Sequence, residues 1–253
     1  MKICFVSDTH YPKYVSRLKK HALNSYFKSG LDKLGVNYYI STNCVNDLND
    51  INNANVKVFD IDILRANHES LNLEILPEDP TGIYPRWFPW NLERFIYKKA
   101  IEDGFDYIIN LDADVLFKEV FDSPESMLSY LESLYELNVI ATNQAIFSYK
   151  NRSPSEVFHL HEKYFSQFNI TPDEDKLNSL DGPVVALMGN QENLNKFVDN
   201  WDKLTVFGYK KEYGYGYDTN VCGNWSLAIA MSDFTLKWKD FPFYPDHKVE
   251  DRP

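Results

Sequence analysis

The chain has 253 residues, 44% of them hydrophobic and 25% charged, with a formal net charge of -11. That length is ample for a sizeable core in one domain, and the composition is ordinary for a globular protein. The acidic balance argues against a general polyanion-binding surface, which needs a basic stripe, and leaves room for a local basic pocket. Cys4, Cys44 and Cys222 are odd in number and far apart, which indicates neither a disulfide framework nor a structural zinc site. A reducing, cytoplasmic setting is expected. No stretch approaches the ~18 apolar residues of a membrane span.

In chain order, Ile3 to Ser7 is a short apolar run ending in Ser-Asp, which predicts a first strand with a polar tip. From Val15 to Leu34 the apolar positions Leu18, Ala22, Leu23, Phe27, Leu31 and Leu34 recur at helical spacing, with Gly35 placed to end the helix. Val36 to Ser41 and Val56 to Ile61 read as a second and a third strand. This is the opening of an α/β nucleotide-binding domain.

Asn91 can cap a helix carrying Leu92, Phe95, Ile96 and Ala100 on one face, with Gly104 past its end. Tyr107 to Leu111 follows as a doubly buried strand. Two carboxylates, Asp112 and Asp114, then sit in an otherwise apolar run that continues to Phe117. A carboxylate stranded in an apolar site costs several kcal/mol unless paired or bound to metal. Their place at the C-terminal end of a central strand is where open α/β sheets bind ligands.

A helix is predicted near Ser126 to Leu137 and a strand at Val139 to Thr142. A further helix is expected over Ser155 to Phe168 and a polar loop over 169–180. A strand at Pro183 to Met188 and a helix at Gln191 to Trp201 come next. The Gly/Tyr-rich segment Tyr209 to Asp218 reads as a loop, Asn220 to Ala230 as a helix and Phe234 to Trp238 as a late strand. The tail from Asp240 is rich in proline and charge.

Leu111-Asp112-Ala113-Asp114, behind a helix with the basic residues Arg94, Lys98 and Lys99, resembles the Asp-x-Asp motif of GT-A glycosyltransferases. Residues 86 to 117 carry the resemblance most strongly, and the element order extends it along the chain. It implies one domain over residues 1–253, with a Rossmann-like nucleotide-sugar-binding half (1–117) and an acceptor-binding half (118–253) around one mixed sheet. It implies a hexosyl- or pentosyltransferase that moves a sugar from a nucleotide-sugar donor, by default a UDP-sugar, to an acceptor hydroxyl.

By the same resemblance, Asp114 binds Mn²⁺ or Mg²⁺ directly, while Asp112 contacts the ribose or the metal through water. Such a metal neutralises the diphosphate leaving group, and hard oxygen ligands suit these ions. His247 is the candidate third ligand, and Lys248, Arg86, Arg94 and Lys98 are candidate diphosphate contacts. For Lys98 a solvated helix face explains the charge equally well. Val6, Ser7, Asp8, Thr42 and Ala113 are candidates for the nucleotide. Asp218 or Asp181 is the candidate general base. A glycan is the default acceptor, and the net charge weighs against nucleic acid.

A competing signal lies in Asp8-Thr9-His10, followed by Asp47 and by Asn67-His68. This order resembles a calcineurin-like metallophosphoesterase, although the glycines that aim that family's ligands are replaced and its later Gly-His-x-His motif is missing. A non-catalytic sugar-binding module on the transferase scaffold is the third alternative.

Overall fold

The computed structural model describes residues 1–68, 87–143, 145–148, 178–181, 184–208 and 232–245. Expectations for Ser155–Phe168, Tyr209–Asp218 and Asn220–Ala230 lie outside these residues.

The protein is an α/β structure. Its main sheet contains β1 (Ile3–Asp8), β2 (Asn37–Thr42), β3 (Val56–Asp60), β4 (Tyr107–Leu111), β6 (Val139–Thr142), β9 (Val184–Met188) and β10 (Thr235–Trp238), after β5 (Val115–Phe117), β7 (Ala145–Ser148) and β8 (Asn178–Asp181) have been set apart. The order is β10-β6-β9-β4-β1-β2-β3, with all strands parallel except β9. The first half of the chain thus supplies β1 to β4, the second half supplies β6, β9 and β10, and the antiparallel β4–β9 ladder joins them. Two small antiparallel sheets accompany it: β5 with β11 (Phe243–Pro245), and β7 with β8.

Side-chain alternation divides the core into two layers. Cys4, Val6, Tyr39, Ile108, Ile140 and Leu187 point to one face. There they meet α4 (Trp87–Glu102), through Phe95, Ile96, Tyr97, Ala100 and Ile101, and α6 (Gln191–Gly208), through Leu194, Phe197, Val198 and Trp201. Phe5, Tyr38, Ile40, Ile109, Ala141 and Ala186 point to the other face. That layer is closed by α1 (Pro12–Leu18), α2 (Asn24–Ser29) and α5 (Pro124–Ser133). Parallel central strands buried on both faces read as continuous apolar runs, which is why β1 and β4 were visible in the sequence. The remaining helix, α3 (Ile61–His68), follows β3 directly.

Several expected elements differ in detail. The predicted helix Val15–Leu34 is interrupted by a π-helical turn at Lys19–Leu23. It ends at Gly30, which has φ +73°, and a separate 3₁₀ turn covers Leu31–Leu34. A Cβ on Gly30 would come within 2.7 Å of the Pro124 ring, so both the backbone sign and the packing of α5 require glycine. Asn91 does not cap α4, which begins four residues earlier at Trp87, whereas Gly104 does lie beyond its end, with φ +84°. α5 starts at a Ser123–Ser126 reciprocal cap, earlier than expected, and stops at Ser133. The end of the expected 169–180 loop is strand β8, and the proline-rich tail contributes β11.

The most consequential difference concerns the two aspartates. They are not embedded in a buried strand. β4 stops at Leu111, and Asp112 to Val115 form a tight turn closed by the Val115 N–H donating to the Asp112 carbonyl at 3.1 Å. Asp112 is exposed and Asp114 half-buried. Solvent and the turn therefore remove the burial penalty that first drew attention to the pair.

Candidate functional site at the C-terminal sheet edge

Registers place the candidate residues at one edge of the sheet. Asp8 ends β1 and pairs in register with Ser41 of β2. On the other side Val6 pairs with Asn110 of β4, and Asp112 opens the turn just beyond the end of that strand. Alternation puts Asp8, Ser41 and Asn110 on the face that α4 covers, continuing the rows begun by Cys4 and Val6, by Tyr39, and by Ile108.

Asp8 is held tightly. The Ser41 hydroxyl donates to its Oδ1, and His10 Nε2 donates to its Oδ2 at 2.6 Å. Both Asp8 and His10 are more than nine-tenths buried at the side chain. The Thr9 N–H extends the β1–β2 ladder by donating to the Ser41 carbonyl at 2.9 Å.

Glu93 on α4 completes an acidic group. Burial pushes its carboxyl well above the usual range, and the charges of Asp8 and Asp112 push in the same direction. A hydrogen bond from the Asn110 side chain opposes them. Three carboxylates from β1, α4 and the β4–β5 turn thus share one electrostatic neighbourhood. Tyr97, one helical turn after Glu93, is pushed upward by burial and then by Glu93 and Asp112.

The basic residues of α4 are committed elsewhere. Arg94 is buried, its Nε donates to Asp202 Oδ1 of α6 at 2.7 Å, and its guanidinium lies over the Phe95 ring at 4.2 Å from the centroid. Lys98 Nζ is 3.6 Å from the other Asp202 oxygen. Lys99 pairs with Asp103 at 2.6 Å.

Of the other candidates, Val6 is core. Ser7 is buried on the opposite face, where its hydroxyl donates to the Leu111 carbonyl at 2.5 Å and accepts from the Tyr38 hydroxyl at 2.8 Å. It therefore stitches β1 to the end of β4. Thr42 is buried, and its Oγ1 accepts from the Cys44 N–H at 2.9 Å. Ala113 is half-buried against the layer that contains Val115. Asp47 lies on a 3₁₀ turn at Val45–Leu48 after β2.

The backbone of Asp181 ends β8, in register with Ala145 of β7 and three residues before Val184, which pairs with Leu111. The fold thus brings Asp181 to the same edge as Asp112. Arg86, Asp218, His247 and Lys248 lie outside the described residues, as do the phosphoesterase-like histidine side chains at His68, His159 and His161.

Sequence reasoning overlooked Glu93, Asn110 and Ser41. The available signal was Asn110 itself, a polar side chain in the interior of an apolar strand, on the same parity as Asp112.

Among the described residues no group of three or more His, Cys, Asp and Glu side chains is disposed to hold a metal ion. Asp112 and Asp114 provide two accessible hard-oxygen donors from one turn. This fits an ion of the Mg²⁺ type, which is bound through one or two carboxylates plus substrate phosphates and water. It does not fit a caged structural metal. Among the described residues no helix is long and apolar enough to cross a membrane. No protein-family model matches the sequence, and no curated protein matches it.

Proposed function

We propose that the chain is a metal-dependent glycosyltransferase of the GT-A type, moving a sugar from a nucleoside diphosphate donor to an acceptor hydroxyl. The observation that carries this reading is the Asp112-Ala113-Asp114 turn. It lies just beyond the C-terminal end of β4 in a mixed α/β sheet, next to β1, and its Asp112 charge acts on Glu93. The arrangement of a parallel first half joined through an antiparallel strand to a second half agrees with the two-part sheet that the motif's resemblance implies.

In this reading Asp112 and Asp114 hold Mn²⁺ or Mg²⁺ together with the donor diphosphate. The ion, when bound, offsets the charge that develops on the departing diphosphate. The protein's own contribution is positional. Ser41 and His10 lock both carboxylate oxygens of Asp8 at the end of β1. A hydrogen bond from Asn110 favours the ionised form of Glu93. Arg94 and Lys98, held by Asp202, set the position of α4 rather than reaching a phosphate directly. Asp181 enters from the second half of the chain beside the β4–β9 junction and is the candidate to take the acceptor proton.

The test is a screen of nucleotide sugars for thermal stabilisation with and without Mn²⁺, since a ligand that binds only the folded state raises Tm by mass action. At least one donor is expected to shift Tm only with metal, and Asp114→Ala to abolish the shift. No metal-dependent shift with any nucleotide sugar sinks the proposal. Stabilisation by a free glycan, with no nucleotide sugar turned over, would instead favour the binding-module alternative.

A further inference from the structure

Between Thr9 and Leu31 the sequence carries Lys13, Arg17, Lys19, Lys20 and Lys28 and no Asp or Glu, in a chain whose formal net charge is -11. The segment folds as α1, the π-helical turn and α2, on the layer opposite α4 and α6. Its apolar positions Val15, Leu18, Ala22, Leu23 and Tyr26 are buried in that layer. Lys13, Lys20 and Lys28 are exposed, and Arg17 is half-buried. Helical spacing sets these four cations in one row on the outer face. At 1.5 Å per residue the row is about 20 Å long.

The row differs from cations elsewhere in the protein. Lys57, Lys99, Lys118, Lys196, Lys237 and Lys239 each pair with a carboxylate. Within the segment, Lys19 turns aside to Asp50 at 2.7 Å. Lys13, Arg17, Lys20 and Lys28 form no ion pair among the described residues. The row begins just after His10, at the sheet edge that carries the candidate site. At that end Tyr11 is 41% exposed, and its ring lies 6.2 Å from the Tyr14 ring. The Arg17 guanidinium stands 5.5 Å from the Tyr14 ring centroid.

We infer that this outer face docks the protein reversibly on a bilayer containing anionic phospholipids. The inference stands independently of the transferase reading. A cluster of four Lys and Arg on one side of an amphipathic helix complements the charge of such a surface. The surface potential decays within about 10 Å, so the face that meets the bilayer counts more than the net charge. The helix does not insert, because its apolar side is already spent on the core. Its cations therefore hold headgroups, and Tyr11 adds a ring of the kind that sits at headgroup level. Nucleic acid suits this face less well. Single strands need open rings on which bases stack, whereas Tyr14 is engaged by Arg17 and Tyr11. Duplex-binding domains are usually basic as a whole, which this chain is not.

The experiment is co-sedimentation of the full chain with two kinds of vesicle at low salt. One is phosphatidylcholine alone, and the other is two parts phosphatidylcholine to one part phosphatidylserine. The chain is expected to bind the mixed vesicles, to ignore the neutral ones and to be released by salt. Lys13→Gln with Lys20→Gln is expected to weaken binding at least about tenfold, at about fivefold per basic residue. Lys237→Gln with Lys239→Gln removes the same charge from cations already paired with Glu136 and is expected to stay within about twofold. All four positions are at the surface, and urea unfolding checks that both variants remain folded. No binding to the mixed vesicles overturns the inference, and so does equal weakening by the two double variants. Tighter binding to duplex DNA at the same salt overturns it in favour of nucleic acid. Self-association that needs Lys13 and Lys20, with no vesicle binding, overturns it in favour of a second copy of the chain. Manganese-dependent binding of UDP is read separately, and its failure with vesicle binding intact removes the transferase reading alone.

Discussion

Arg94 on α4 and Asp202 on α6 meet through a 2.7 Å Nε–Oδ1 hydrogen bond with both side chains at least nine-tenths buried. Lys98 approaches the second carboxylate oxygen at 3.6 Å. The pair fastens together the two helices that cover the site-bearing face of the sheet. Removing Arg94 deletes a charge-assisted hydrogen bond from a buried site, which typically costs about 1.5–3 kcal/mol. Arg94→Leu is therefore expected to lower stability by that order in urea unfolding. The double variant with Asp202→Leu is expected to lose less than the sum of the two single changes. Additive losses would show that the ion pair does not couple the helices.

The Asp112–Asp114 turn separates function from stability. Asp112 is exposed and lies outside β4, so Asp112→Asn is expected to change unfolding free energy by less than about 0.5 kcal/mol. Manganese-dependent nucleotide binding is expected to fall by at least about tenfold, as for loss of a metal or ribose ligand. Isothermal titration beside chemical denaturation reads both quantities. A large stability loss with intact binding would reverse the assignment.

Phe243 links the late β11 strand to the core and thereby braces the turn. It packs against Phe117 at 4.7 Å between centroids, Phe5 at 5.6 Å and Phe241 at 6.2 Å. Phe243→Ala is expected to cost about 3–5 kcal/mol. A smaller Phe243→Leu change keeps the protein folded, and weaker metal-dependent nucleotide binding in it would reveal the bracing effect.

Asp103 gives a pH signature. Burial opposes its ionisation. The hydrogen bonds from Lys99 Nζ and Tyr39 Oη, with the charges of Lys99 and Lys57, outweigh burial and hold its carboxyl below the usual range. A carboxylate lowered in the folded state contributes stability above its unfolded pKa, and that contribution is lost as pH falls through the folded value. The gap in stability between the parent chain and Asp103→Asn is thus expected to be constant near neutrality. It should shrink as the pH drops below about 4. A gap that widens on acidification would contradict the assignment.

The sequence disclosed what depends on local periodicity. The strands at Ile3, Tyr107, Val139 and Val184 are apolar runs because both of their faces are covered, and α4 and α6 follow the 3.6-residue repeat. What it concealed depends on partners distant in the chain. β5 and β11 are three residues each and are strands only because Phe117 pairs with Phe243. The same holds for the site. Asp112 and Asp114 announce themselves as a motif, whereas Glu93 becomes notable only when the fold sets it under the charges of Asp8 and Asp112. Arg94 looked like a phosphate contact because its partner, Asp202, is 108 positions away.

The reversed direction of β9 has a mechanical consequence. Five residue pairs, from Tyr107–Met188 to Leu111–Val184, zip the first half of the chain to the second along a continuous ladder. A hinge between the first and second halves of the sheet would have to unzip that ladder. The two halves therefore move as one plate, and the Asp112 turn keeps a fixed spacing from the strands beyond β9.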